Sequence, residues 1–167
     1  MKHELIFYAT PAGSLKETCD RYFDLLKTPT VAQTYPPHCT LTGFFHRDSF
    51  DVAAVLDDVA AVVSSESGSM TVPDGAVAIE ALRVTDEWIG LEVTSAFLAD
   101  VTAQFVSRHV TPLGADVLRP KSWLHLSLAY GVEDLSDAAE LADRLFVPVP
   151  DGGWELGIWE RVVGGSW

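Results

Sequence analysis

The chain has 167 residues, 48% of them hydrophobic and 21% charged, which is the balance of one globular domain spanning 1–167. Its 24 acidic residues against 11 basic ones give a formal charge of −13, which disfavours a basic surface tracking a phosphate backbone, so no long nucleic-acid partner is expected. No apolar run reaches the roughly 18 residues of a membrane span, and "MKHELIFYATPAG" is too short in apolar residues for a signal peptide, so a cytoplasmic location away from membranes is expected.

In chain order, the β-branched and aromatic residues of "ELIFYAT" predict a first strand, broken by "PAGS". Ser14 and Glu17 have capping-box spacing, and Leu15, Cys19, Tyr22, Phe23 and Leu26 recur at helical intervals, predicting a helix that Pro29 must end. "TYPPHCTLTGFF" predicts a second strand. Val52, Val55, Leu56, Val59, Val62 and Val63 then mark one face of a second helix, followed by a turn at "SSESGSM". "GAVAIEALRVT" and "WIGLEVT" predict two strands about a turn at Asp86 and Glu87. A third helix over "SAFLADVTAQFVSRHV" ends before Pro112, "WLHLSLAYG" predicts another strand, "LSDAAELADRLF" a fourth helix and "GWELGIWERVVGGSW" a last strand.

The order strand, helix, strand with histidine, helix, strand thus occurs twice. Both histidine strands carry one short pattern: His38, Thr40 and Leu41 in "HCTL", His125, Ser127 and Leu128 in "HLSL". Ser49 and Ser136 follow the two histidines at the same offset, each where a helix N-cap would sit. This repetition predicts two similar α+β lobes with the histidine strands facing each other across a cleft.

Side chains alternate along a strand, so His38 shares a face with Thr40 and His125 with Ser127, while Cys39, Leu41, Leu126 and Leu128 point into a core. Cys19 and Cys39 read as buried free thiols. Two imidazoles across a cleft suit a reaction in which one group removes a proton while another supplies one, and phosphodiester cleavage has that demand. The hydroxyls of Thr40 and Ser127 can donate to phosphoryl oxygens. This chemistry requires no metal and no other cofactor, and neither histidine has a cysteine, aspartate or glutamate at ligand spacing on its strand.

Trp123 shares the face of His125 and Ser127 and could stack a base or ribose, with Tyr8 and Tyr130 as further substrate-binding candidates. Lys121 or Arg119 could neutralise phosphate from the preceding loop. His3, His46 and His109 are expected at the surface, His46 in a charged turn and His109 near a helix C-terminus. The acidic runs at Asp57 with Asp58 and Glu133 with Asp134 read as solvated helix faces and helix starts, and no glycine-rich phosphate loop is present.

"HCTL" and "HLSL" resemble the two signature tetrapeptides of the 2H phosphoesterase superfamily, and "HLSLAYG" is similar to the branch containing yeast and plant cyclic phosphodiesterases. The resemblance implies a bilobal, pseudo-symmetric α+β fold of two antiparallel sheets with outer helices and a central cleft. It also implies metal-independent hydrolysis of 2′,3′-cyclic nucleotides or ADP-ribose 1″,2″-cyclic phosphate, with a 2′-phosphate product. By position, His38 and His125 would be catalytic and Thr40 and Ser127 phosphate-binding. The expected partner is a small cyclic-phosphate nucleotide, bound by a monomer. Two alternatives stand beside this reading. One is a module that binds a nucleotide or cyclic oligonucleotide without turnover; the other is cleavage of RNA ends or cyclic oligonucleotide signals by the same chemistry.

Overall fold

The computed structural model describes residues 2–48, 54, 55, 57, 60, 61, 71–108 and 117–161. Within them the chain runs β1 (Lys2–Pro11), α1 (Gly13–Leu25), a 3₁₀ turn (Val31–Thr34), β2 (Cys39–Thr40), β3 (Phe45–Asp48), β4 (Ala78–Val84), β5 (Trp88–Thr94), α2 (Ala96–Arg108), β6 (Leu124–Tyr130), α3 (Ser136–Phe146) and β7 (Trp154–Arg161). The class is α+β, as expected. Ala54, Val55, Asp57, Ala60 and Ala61 are helical within the predicted second helix. The rest of that helix, Ser49, the "SSESGSM" turn and His109 lie outside the described residues.

The central strand is the one whose residues are apolar on both faces. Leu5, Ile6, Phe7, Tyr8 and Ala9 are consecutive and all buried, so β1 must be covered on two sides and flanked on two edges. It pairs with β7 along one edge and with β3 and then β2 along the other. From β2 the sheet continues through β6 and β5 to β4, with every pairing antiparallel.

Where two sheets were expected, a seven-stranded one is found, because β2 bridges the halves through Ala9↔Cys39 on one side and Cys39↔Leu126 on the other. The predicted "TYPPHCTLTGFF" strand is correspondingly broken up. Pro36 and Pro37 offer no N–H to a ladder. Beyond Thr40 the chain turns off, the N–H groups of Leu41 and Thr42 both donating to the Phe7 carbonyl at 2.9 and 3.2 Å. β3 resumes the pairing only at Phe45.

Helical stripes fill one face of this sheet. Leu15, Cys19 and Tyr22 of α1, Leu98, Val101 and Phe105 of α2, and Leu141, Ala142 and Phe146 of α3 share one core with Leu5, Phe7, Cys39, Leu91 and Leu126. Phe105 sits 4.9 Å from Phe7 and 6.0 Å from Phe45 between ring centroids, each buried ring contributing roughly 1.5–3 kcal/mol by transfer from water. The Tyr22 hydroxyl donates to the Ala138 carbonyl at 3.2 Å and ties α1 to α3. Both cysteines are free and buried in this core, as expected.

Several local expectations are corrected. The Ser14–Glu17 capping box does not form, because α1 starts at Gly13, with Ala12 as an extended N-cap lacking a side-chain hydrogen bond. Gly13 makes that sharp entry possible with a φ of 60°, a region that costs side-chain-bearing residues energy. Ser136 is likewise the first helical residue rather than the cap, its N–H held by Asp134 Oδ1 at 2.8 Å. His46 lies on β3 opposite Glu4 instead of in a turn, because β1 extends far enough to pair with it. Among the described residues no helix is long and apolar enough to cross a membrane.

Candidate active site

The site follows from one register. In the antiparallel pair of β2 and β6, Cys39 lies opposite Leu126. Continuing one residue each way sets His38 across from Ser127 and Thr40 across from His125. Alternation sends Cys39 and Leu126, both fully buried, into the helical core, and all four polar side chains out on the other face. Tyr8, opposite Thr40 on β1, extends that face. The histidine strands therefore lie side by side in one sheet, where facing strands were expected. The reason is that β2 and β6 are hydrogen-bonded neighbours, about 4.8 Å apart in any sheet, so a ligand would rest above them rather than between them.

A cavity of about 310 Å³ stands over this face, lined by His38, Thr40, His125 and Ser127 with Trp88 and Trp123 as aromatic walls. A second, of about 260 Å³, shares His38, Thr40 and His125 and is bounded by Tyr8, Lys121 and Trp159. Tyr35 and Tyr130 border both. Every expected site residue thus lines one or both cavities. Arg119, the alternative to Lys121, lines neither; its carbonyl accepts the Gly43 N–H at 2.9 Å.

The His38 ring lies 5.6 Å from Tyr8 and 6.1 Å from Tyr35 between centroids. Its Nδ1 is 2.8 Å from the Pro36 carbonyl oxygen, which can only accept, so Nδ1 carries the proton and Nε2 holds the lone pair in the neutral ring. Burial lowers the His38 pKa from its ordinary 6.5, the Pro36 carbonyl partly opposing the shift.

His125 is held by indoles. Trp123 stacks on it at 4.0 Å and 29°, and Trp88 meets it edge-on at 5.3 Å and 89°. Burial again lowers its pKa, the Trp123 carbonyl opposes, and the positive charges of Lys121 and His38 lower it further. The buried Nδ1 is without a hydrogen-bond partner among the described residues. With both pKa values depressed, the site at neutral pH holds two mostly neutral imidazoles.

Ser127 and Tyr130 depend on details that alternation alone does not supply. The Trp88 indole N–H donates to Ser127 Oγ at 2.9 Å. Tyr130 is three residues after Ser127 and in a regular strand would face the core. A bulge intervenes: Ile89 pairs with Ala129 but Gly90 with Ser127, so Leu128 is extra and Tyr130 returns to the cavity face. Leu128 and Ala129 are both fully buried, as this requires.

Trp88, Tyr35 and Trp159 line the cavities and were not anticipated. The available signal was parity on β5, which puts Trp88 on the face of Gly90. Nothing in the sequence alone says that β5 adjoins β6. Among the described residues no three histidine, cysteine, aspartate or glutamate side chains are grouped so as to hold a metal ion. No family model matches the chain, and no curated protein matches it.

Proposed function

We propose that the protein is a cyclic phosphodiesterase of the 2H type, hydrolysing 2′,3′-cyclic nucleotides or ADP-ribose 1″,2″-cyclic phosphate by two-histidine acid–base catalysis without a metal. The observation that carries this reading is the convergence of His38, Thr40, His125 and Ser127 on one cavity from one face of adjacent strands. The sheet order supports it as well. Exchanging β1, β2 and β7 with β5, β6 and β4 reproduces every pairing except that of β1 with β3, a partial correspondence that is in keeping with the pseudo-symmetry the resemblance implies.

In the proposed reaction one neutral histidine takes a proton from water as the water oxygen bonds to phosphorus. The bond from phosphorus to one ribose oxygen breaks, and the other histidine, protonated, gives that oxygen its proton. The product is a phosphate monoester, and one water is consumed. Thr40 and Ser127 donate to the non-bridging oxygens, whose charge grows in the transition state. A nucleobase or ribose would rest against Trp123, which is 50% exposed and already stacked on His125. Lys121 supplies a positive charge at the rim of an otherwise acidic protein.

The test is to incubate the protein in EDTA with 2′,3′-cyclic nucleotides, ADP-ribose 1″,2″-cyclic phosphate and cyclic oligonucleotides. Turnover of at least one monomeric cyclic phosphate is expected, with loss of about a hundredfold or more in His38→Ala and in His125→Ala. Full activity in either variant, or a strict metal requirement, overturns the mechanism. Tight binding with no turnover identifies a binding module instead.

A further inference from the structure

We propose that Trp88 is a positioning residue that acts through Ser127, its ring taking space that the missing side chain of Gly90 leaves open. This rests on reading the cavity as a phosphodiester site. A serine hydroxyl has one hydrogen and two lone pairs, whereas an indole N–H can only donate. With Trp88 Nε1–H seated on Ser127 Oγ at 2.9 Å, the serine hydrogen cannot point back at the indole and is free for another acceptor. The acceptor that an anion above this face would offer is a phosphoryl oxygen. Trp88 thereby fixes a donor in advance of substrate, which is how a hydrogen bond becomes worth more in a transition state than in water.

For the indole to reach Ser127 it must lie across the sheet from β5 to β6. Gly90, on the same face of β5 and directly opposite Ser127, lies beneath that path. A Cβ there would come within 2.3 Å of Trp88 Cζ2 and 2.4 Å of the Leu126 carbonyl oxygen, neither of which a real Cβ tolerates. Gly90 does not have a positive φ, so space and not backbone freedom is what its missing side chain supplies. The ring is also fixed from its other sides, by Trp123 at 5.2 Å and by the edge-on contact with His125. Thr40 has no such tether among the described residues. The two phosphate donors, equivalent in the tetrapeptides, are therefore prepared differently.

The experiment is a double-mutant cycle with Trp88→Phe, which keeps an aromatic wall but lacks the N–H, and Ser127→Ala. Trp88→Phe is expected to lower kcat/KM for adenosine 2′,3′-cyclic phosphate about tenfold in the parent protein and less than about twofold in the Ser127→Ala background. Equal losses in both backgrounds, or none in the parent, overturn the proposal while leaving the phosphodiesterase reading intact. A readout independent of turnover uses ¹⁵N-indole-labelled protein. The resonance that disappears in Trp88→Phe should be protected from hydrogen exchange in the parent and lose protection in Ser127→Ala and in Gly90→Ala. An unprotected signal in the parent removes the hydrogen bond and with it the inference. A protected signal in a protein that hydrolyses no cyclic phosphate overturns the functional reading and the positioning role together.

Discussion

His38 and His125 occupy equivalent places in their tetrapeptides, yet the structure surrounds them differently. His38 has its tautomer set by the Pro36 carbonyl and two tyrosines at its sides, while His125 has two indoles against its ring and a buried Nδ1 with no hydrogen-bond partner among the described residues. Thr40 has no hydroxyl tether among the described residues; Ser127 is held by Trp88. The difference teaches that a repeated motif fixes which groups face the cavity, while the unrepeated neighbours decide how each group is held. One half of the site is built around a defined proton position, the other around aromatic surface.

The comparison is broken most severely at the histidines. His38→Asn and His125→Asn, which keep polarity but cannot exchange a proton near neutrality, are each expected to cost a hundredfold or more in kcat, read by product formation. If one variant retains most of its activity, the two halves are not both catalytic.

The hydroxyls come next. Ser127→Ala is expected to lower kcat about a hundredfold and Thr40→Val about tenfold, because a donor fixed in advance loses more transition-state stabilisation than one that must be ordered by substrate. Equal losses would show that the Trp88 tether confers no advantage.

A third expectation concerns aromatic surface. Trp123→Ala should raise KM roughly tenfold with a smaller change in kcat, consistent with the loss of about 1–3 kcal/mol of base stacking. A kcat loss at unchanged KM would instead assign Trp123 to holding His125 in place.

The pH profile sharpens the contrast further. Both histidine pKa values are lowered, chiefly by burial, and the productive state of the proposed mechanism has one ring neutral and one protonated. That state gains population as pH falls from neutrality and is lost once both rings are protonated, so kcat/KM should be bell-shaped with its maximum below the ordinary 6.5. The same shifts act on stability. The unfolded chain binds protons more readily than the folded one as pH drops below 6.5, so the free energy of unfolding should fall from there downward. A maximum above pH 7 contradicts both imidazoles being desolvated.

The smallest effect expected is at the rim. Lys121→Ala should raise KM about threefold at low salt and less as ionic strength rises, since an exposed charge is screened over about 10 Å at 0.1 M.

Much of this arrangement was legible from local chemistry. Alternation assigned His38, Thr40, His125 and Ser127 to cleft-lining faces and Cys39 and Leu126 to the core, because strand parity is a property of the backbone itself. The segments of α1, α2 and α3 were readable from apolar periodicity. Their caps were not: Ser14 and Ser136 have cap-like chemistry, but Gly13 and Asp134 decide the entries. Tyr130 was a candidate whose parity was wrong until the Leu128 bulge turned it back, and a bulge depends on the partner strand.

What the sequence by itself determined is the identity of the candidate site groups and the side of the strand each one takes, since those follow from residue type and a two-residue period. What only the tertiary structure decided is that β2 and β6 are neighbours in one sheet, that β5 brings Trp88 over Gly90 to Ser127, and that β1 adds Tyr8 beside Thr40. Adjacency between strands far apart in the chain depends on how the whole apolar surface is buried, which no local pattern specifies.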